Sequence, residues 1–257
     1  MATMDMAPEQ NEGREKEDKP KVISDANISV QYPDGYEPDA SNMLAWANQV
    51  ITELQKWFPD FWNVLGNRLI IAIKDCGKPD YACADIGRTS IEFKDLPSVA
   101  AKVDIYYDTD YYTGNIAHEL GHIVLGKYRE LAGGYLRSDL PKWFNEGFGE
   151  YLKLLIIGEQ RFNEKYSRYS SEICYIIENG TSGISDDYQV TPGFSDVFAG
   201  GAWVLRFMNS KFGIDAIKAI IKSKQSTFWA AVTEQINLTR AQFDEQLKEW
   251  LKERIKD

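Results

Sequence analysis

Hydrophobic and polar positions alternate in I-S-V-Q-Y, Ile28–Tyr32, the spacing of a half-buried strand, and Y-P-D-G-Y after it reads as a turn. Beyond the turn the period changes. Met43, Ala47, Val50, Ile51, Leu54 and Trp57 recur at helical spacing, with Asp39 placed to cap the helix and Pro59 to end it. R-L-I-I-A-I-K, residues 68–74, predicts a buried strand, and T-S-I-E-F and K-V-D-I-Y-Y predict two more. From there the chain is mainly helical. Apolar periodicity predicts helices over 116–125, 141–157, 162–178, 196–211, 216–222, 228–235 and 240–255. The last opens T-R-A-Q, a capping box with Thr239 as N-cap. No internal repeat is present. The layout predicts an α+β fold: a small N-terminal α/β lobe with a mixed sheet, a mainly helical C-terminal lobe, and a cleft between them.

The first 25 residues (E-Q-N-E-G-R-E-K-E-D-K-P among them) carry too little apolar surface to offset the entropy of ordering, and read as a disordered acidic tail. Residues 26–257 then form one domain, with 26–126 as the α/β lobe and 127–257 as the helical lobe. An apolar fraction of 44% is ample for its core. A formal charge of -10 without a basic patch argues against nucleic acid and anionic membranes as partners. No apolar run approaches the roughly 18 residues that a membrane span needs. The N-terminus as given lacks the basic start and apolar stretch of a secretory leader, which leaves a cytoplasmic protein or a secreted one with its leader removed. Three cysteines are too few for a disulfide scaffold. Cys76 and Cys83 flank a turn-rich loop that one disulfide can close or that two thiols can occupy, while Cys174 has no evident mate.

The chemistry concentrates in N-I-A-H-E-L-G-H-I-V-L-G, residues 115–126, which holds both histidines of the chain. Side chains four apart on a helix share a face, so His118 and His122 can converge on one metal ion. Glu119 is rotated by about a hundred degrees from His118, so it flanks such an ion without binding it and is placed to act as a general base. Two imidazoles leave a catalytic zinc short of its usual three protein ligands. The extension H-E-x-x-H-x-x-G-x-x-H fails, because Leu125 replaces its glycine and Tyr128 its third histidine. The third ligand must be a carboxylate or a cysteine. Downstream, D-L-P-K-W-F-N-E-G-F-G-E-Y-L-K-L-L carries Glu146 and Glu150 four residues apart, with Pro141 suited to a helix's first turn.

H-E-L-G-H followed by N-E-G-F-G-E-Y, residues 145–151, resembles the gluzincin metallopeptidases, with Gly149 where alanine is usual. The resemblance implies Zn2+ held by His118, His122 and Glu146, with Asn145 and Glu150 behind the ligands as hydrogen-bond partners. It extends more weakly, over about residues 28–251, to the small peptidase-MA-like and plant basic-secretory-protein-like domains. In some branches a tyrosine stands three residues before the Gly-Ala or Thr-Ala pair of a later helix, where it donates to the oxyanion. The matching residue here is Phe198, which cannot donate; Tyr188, in D-D-Y-Q-V-T-P-G-F, is the loop candidate to replace it. The amine-gripping G-x-M-E-N segment of the aminopeptidase branch is missing, which favours endopeptidase action on a peptide or protein substrate. That substrate is expected to add as a strand beside T-S-I-E-F or K-V-D-I-Y-Y. The alternative implied by Phe198 is a catalytically weak zinc-binding protein of the same fold that acts through partner binding. Phosphate-cradling glycine loops, nucleophile elbows and paired cysteine metal knuckles are absent.

Overall fold

The protein is described by a computed structural model over residues 19–74, 82–94, 109–133, 140–161, 170–185 and 193–254. Among the described residues, five strands form one mixed sheet. They are β1 (Lys21–Ser24), β2 (Ile28–Tyr32), β3 (Leu69–Ile73), β4 (Ala82–Asp85) and β5 (Ser90–Phe93), in the order β1-β2-β3-β5-β4. The central pairs β2/β3 and β3/β5 are parallel, and both outer pairs are antiparallel. The parallel β2–β3 step requires a crossover, supplied by helix α1 (Glu37–Trp57) and the short α2 (Phe61–Leu65). Met43, Ala47, Val50, Ile51 and Leu54 form the buried stripe of α1, as their spacing predicts.

Seven further helices follow among the described residues. They are α3 (Thr109–Leu131), α4 (Lys142–Ile157), α5 (Ser170–Asn179), α6 (Val197–Phe212), α7 (Ile214–Lys222), α8 (Phe228–Ile236) and α9 (Arg240–Arg254). The architecture is α+β, a mixed sheet followed by a mainly helical half, as the sequence pattern predicts. The caps explain several boundaries. Asp196 accepts from the backbone N–H groups of Phe198 and Ala199, and Thr227 accepts from that of Ala230. At α9, Gln242 Oε1 accepts from Thr239 N–H while Thr239 Oγ1 accepts from Gln242 N–H, the reciprocal box read from T-R-A-Q.

Glycines on both sides of α4 set how closely three helices approach. A Cβ on Gly121 of α3 would lie 2.8 Å from Gly149 Cα, and one on Gly147 would lie 2.5 Å from Gly201 Cα of α6. Neither pair leaves room for a side chain, so α4 is wedged with its backbone against α3 on one side and α6 on the other. Tyr128 further ties α3 to its surroundings. Its buried hydroxyl donates to Asp60 beside α2, and Lys222 of α7 places its ammonium 4.1 Å above the ring.

The structure departs from the sequence expectations in several places. Helix α3 starts well before residue 116 and ends beyond 125, because Gly114 and Gly126 are interior positions of close approach rather than stops. Cβ atoms there would meet Lys153 at 3.1 Å and Ile86 at 2.7 Å. T-S-I-E-F cannot be a free sheet edge, since β5 is paired on both sides; among the described residues the edge is A-C-A-D, β4. Strand β1 lies within the stretch read as a polar tail. It is exposed, and its partner supplies the ladder that its own composition does not advertise. Tyr36, without a side-chain bond, occupies the N-cap of α1, and Asp39 lies buried in the first turn, where a carboxylate favours the helix dipole. K-V-D-I-Y-Y, Cys76 and Tyr188 lie outside the described residues. Cys83 is disulfide-bonded and Cys174 is in no disulfide. No described helix is long and apolar enough to cross a membrane.

Candidate metal centre

Helix α3 presents His118 and His122 one turn apart, and the glycine contacts bring α4 alongside so that Glu146 faces both rings. His118 Nε2 lies 3.1 Å from His122 Nε2, and Glu146 Oε2 lies 3.5 and 3.4 Å from the two nitrogens. Three donors bonded to one ion at 2.0–2.1 Å in a tetrahedral arrangement stand roughly 3.3 Å apart. The cluster therefore has the dimensions that a single metal ion requires, and its donor set, two imidazoles and a carboxylate, suits one. The other ring nitrogens each face an oxygen atom. His118 Nδ1 faces Glu150 Oε1 at 3.1 Å, and His122 Nδ1 faces Asn145 Oδ1 at 3.3 Å. Oxygen acceptors at Nδ1 favour the tautomer that leaves the Nε2 lone pair for the ion. Asn145 Nδ2 also donates to Glu146 Oε1, leaving Oε2 turned toward the rings.

His118, Glu119, Glu146 and Glu150 are all buried. The imidazoles and carboxylates compensate one another's charge. Burial alone would lower the pKa of His118, but Glu146, Glu150 and Glu119 outweigh it and push it up to about 9. Burial alone would raise Glu146; hydrogen bonding and charge from the two imidazoles instead hold it well below the usual carboxylate range. A divalent cation held by these residues would take the place of the His118 proton as the positive centre, so its binding would be coupled to proton release.

The predicted residues separate into three groups. The structure brings His118, His122, Glu146, Glu150 and Asn145 into one cluster. Glu119 is buried beside it, close enough for its charge to act on His118. Tyr188 lies outside the described residues. Phe198, the aromatic in place of a donor tyrosine, is at the site: its ring centroid is 6.1 Å from that of His118, and it sits in the first turn of α6. Sequence reasoning passed over Lys153 and Asn115. Lys153 is buried, donating to Asn115 Oδ1 at 3.1 Å and to Glu150 Oε1 at 3.4 Å. The signal was there to read: a lone lysine inside the apolar run Y-L-K-L-L-I-I, three residues after a glutamate.

The chain matches no protein-family model. Over 157 residues it is 22% identical to a microbial collagenase from Vibrio alginolyticus. The match takes in 58% of this chain but 18% of that protein, so the chain corresponds to a small part of its length. A distant likeness to a collagenase and a His-His-Glu cluster able to hold a metal ion both point toward a metallopeptidase.

Proposed function

We propose that the protein is a zinc-dependent peptidase that cleaves internal peptide bonds, with His118, His122 and Glu146 as the metal ligands and Glu119 as the general base. The observation that carries this reading is the three-donor cluster at metal-bonding dimensions with a buried carboxylate directly after the first ligand. The collagenase match supports it independently. Bound in the cluster, zinc would supply a Lewis acid and lower the pKa of water toward neutrality. Glu119 takes the proton of the attacking water and delivers it to the leaving amine, which lets one carboxylate serve both half-reactions. Glu150 and Asn145 hold the two rings in the tautomer and orientation that ligation needs. Among the described residues, strand β4 is the edge at which an extended substrate can pair: Ile86, just beyond it, packs on Gly126 of α3, so β4 ends against the helix that bears the site.

A second reading has its own observation. Phe198 stands against His118 without a hydroxyl, so a donor to the tetrahedral oxyanion is missing at that point. A zinc-binding protein with weak or no turnover, acting through a partner, fits that feature. One experiment separates the two. The purified protein is assayed for bound metal and incubated with a peptide library, with and without chelator, and the products are mapped by mass spectrometry. Chelator-sensitive cleavage of internal bonds is expected. Glu119→Gln should retain the metal and lose cleavage by several orders of magnitude. Full activity in that variant rejects the general-base assignment, and a metal-loaded wild type with no cleavage favours the binding protein.

A further inference from the structure

Lys153 belongs to a side-chain chain of three links that ends at a proposed metal ligand. Asn115 of α3 accepts from its ammonium at 3.1 Å, the ammonium donates to Glu150 at 3.4 Å, and Glu150 stands 3.1 Å from His118 Nδ1. A lysine is seldom buried unless paired, because desolvating its charge is costly. Here the fold makes room for it. Gly114 lies over the aliphatic stem, where a Cβ would come within 3.1 Å of Lys153 Cγ and Cε. The local charge explains why such a group is useful. Glu119, Glu146 and Glu150 are three buried carboxylates, and a divalent cation bound by neutral imidazoles would leave one negative charge uncompensated. Lys153 supplies the compensating positive charge, and its ammonium contacts Glu150 Oε1, the same oxygen that faces His118 Nδ1.

Resting on the metallopeptidase reading above, we infer that Lys153 is a positioning residue. Held by Asn115, it anchors the Glu150 carboxylate against His118 and so fixes the ring that presents Nε2 to the metal. It touches neither metal nor substrate and acts only through Glu150. Groups bonded directly to a ligand, as Glu150 is to His118, typically change metal affinity by about 10–100-fold when removed, and loss of the residue that anchors Glu150 carries over part of that effect, on the order of 10-fold.

The test measures affinity and coordination rather than turnover. Zinc dissociation constants, from competition with a chromophoric chelator, and the visible spectrum of the Co2+-substituted protein are recorded for wild type, Lys153→Met, Glu150→Gln and the double variant. Lys153→Met is expected to weaken zinc on the order of 10-fold and to shift the Co2+ bands. In the Glu150→Gln background it should change neither, because the group it anchors is already altered. Lys153→Met within about twofold of wild type overturns the inference, as does an equal loss in both backgrounds. Should Lys153→Met fail to fold, Asn115→Ala, which removes only the outer tether, decides. A several-fold loss of zinc affinity that disappears in the Glu150→Gln background supports the inference, and no loss overturns it. A wild type that binds no zinc overturns the metallopeptidase reading itself, a result distinct from an unresponsive Lys153 variant.

Discussion

Replacing Gly149 by alanine adds a single methyl group at the closest approach between α4 and a proposed ligand. Its Cβ would lie 2.8 Å from His118 Nδ1, 2.9 Å from Cε1 and 3.0 Å from Cγ. Comfortable contacts between such atoms begin near about 3.5 Å, so either the ring or the helix must move by roughly half an ångström. The helix has little freedom to retreat. Moving α4 away from α3 drives it toward α6, where a Cβ on Gly147 would already meet Gly201 Cα at 2.5 Å. The ring therefore moves, while metal–ligand distances tolerate only about 0.2 Å. The expected result is a loss of zinc affinity of about 10–100-fold, or roughly 1.4–2.8 kcal/mol. Folding stability should follow a different course. Alanine is preferred over glycine inside a helix by about 0.8–1 kcal/mol, which offsets part of the packing strain. Chelator competition on the metal-loaded protein and thermal melts of the chelator-stripped protein read the two effects separately. Zinc affinity should drop clearly, with a melting temperature within a few degrees of wild type. An affinity within about twofold of wild type would refute the reasoning, because it would mean that the helices yield without cost.

Three other outcomes follow from the same geometry. Gly201→Ala places a Cβ 2.0 Å from the Trp143 carbonyl oxygen, so α4 and α6 must separate; a loss of about 1–3 kcal/mol or more is expected, and an unchanged denaturant midpoint would contradict it. In the metal-free protein, the stabilisation of protonated His118 is fully present below its ordinary value of 6.5 and is lost as pH rises toward about 9, while that of ionised Glu146 is present above 4.5 and is lost on acidification. Chelator-stripped protein should thus be most stable between those ordinary values and weaken on the order of 3 kcal/mol toward pH 9, whereas zinc affinity rises over the same interval; flat melts across that range contradict it. Phe198→Tyr puts a hydroxyl beside His118 and should raise turnover, up to the order of 10²-fold for a well-aimed donor, whereas unchanged rates in peptide cleavage assays would show that the ring is not aimed at the reacting carbonyl.

What the sequence determined alone was whatever depends on local spacing. The helical period of α1, the alternation of Ile28–Tyr32 and the reciprocal cap at Thr239 are local patterns, and the structure follows them. The pairing of His118 with His122 is of the same kind, since a helix puts residues four apart on one face whatever surrounds it. What the tertiary structure decided was everything that requires two segments to meet. Strands β1 and β4, the edges among the described residues, carry no strong hydrophobic signal of their own, and their register is set by the neighbour each pairs with. Gly114 and Gly126 resemble helix breakers until Lys153 and Ile86 are seen to occupy the space where their side chains would be. Lys153 is legible in the sequence only as a lone lysine in an apolar run, and what compensates it is not. A buried ammonium is stable only beside the carboxylate and amide that compensate it, and the amide comes from a helix 38 residues away in the chain.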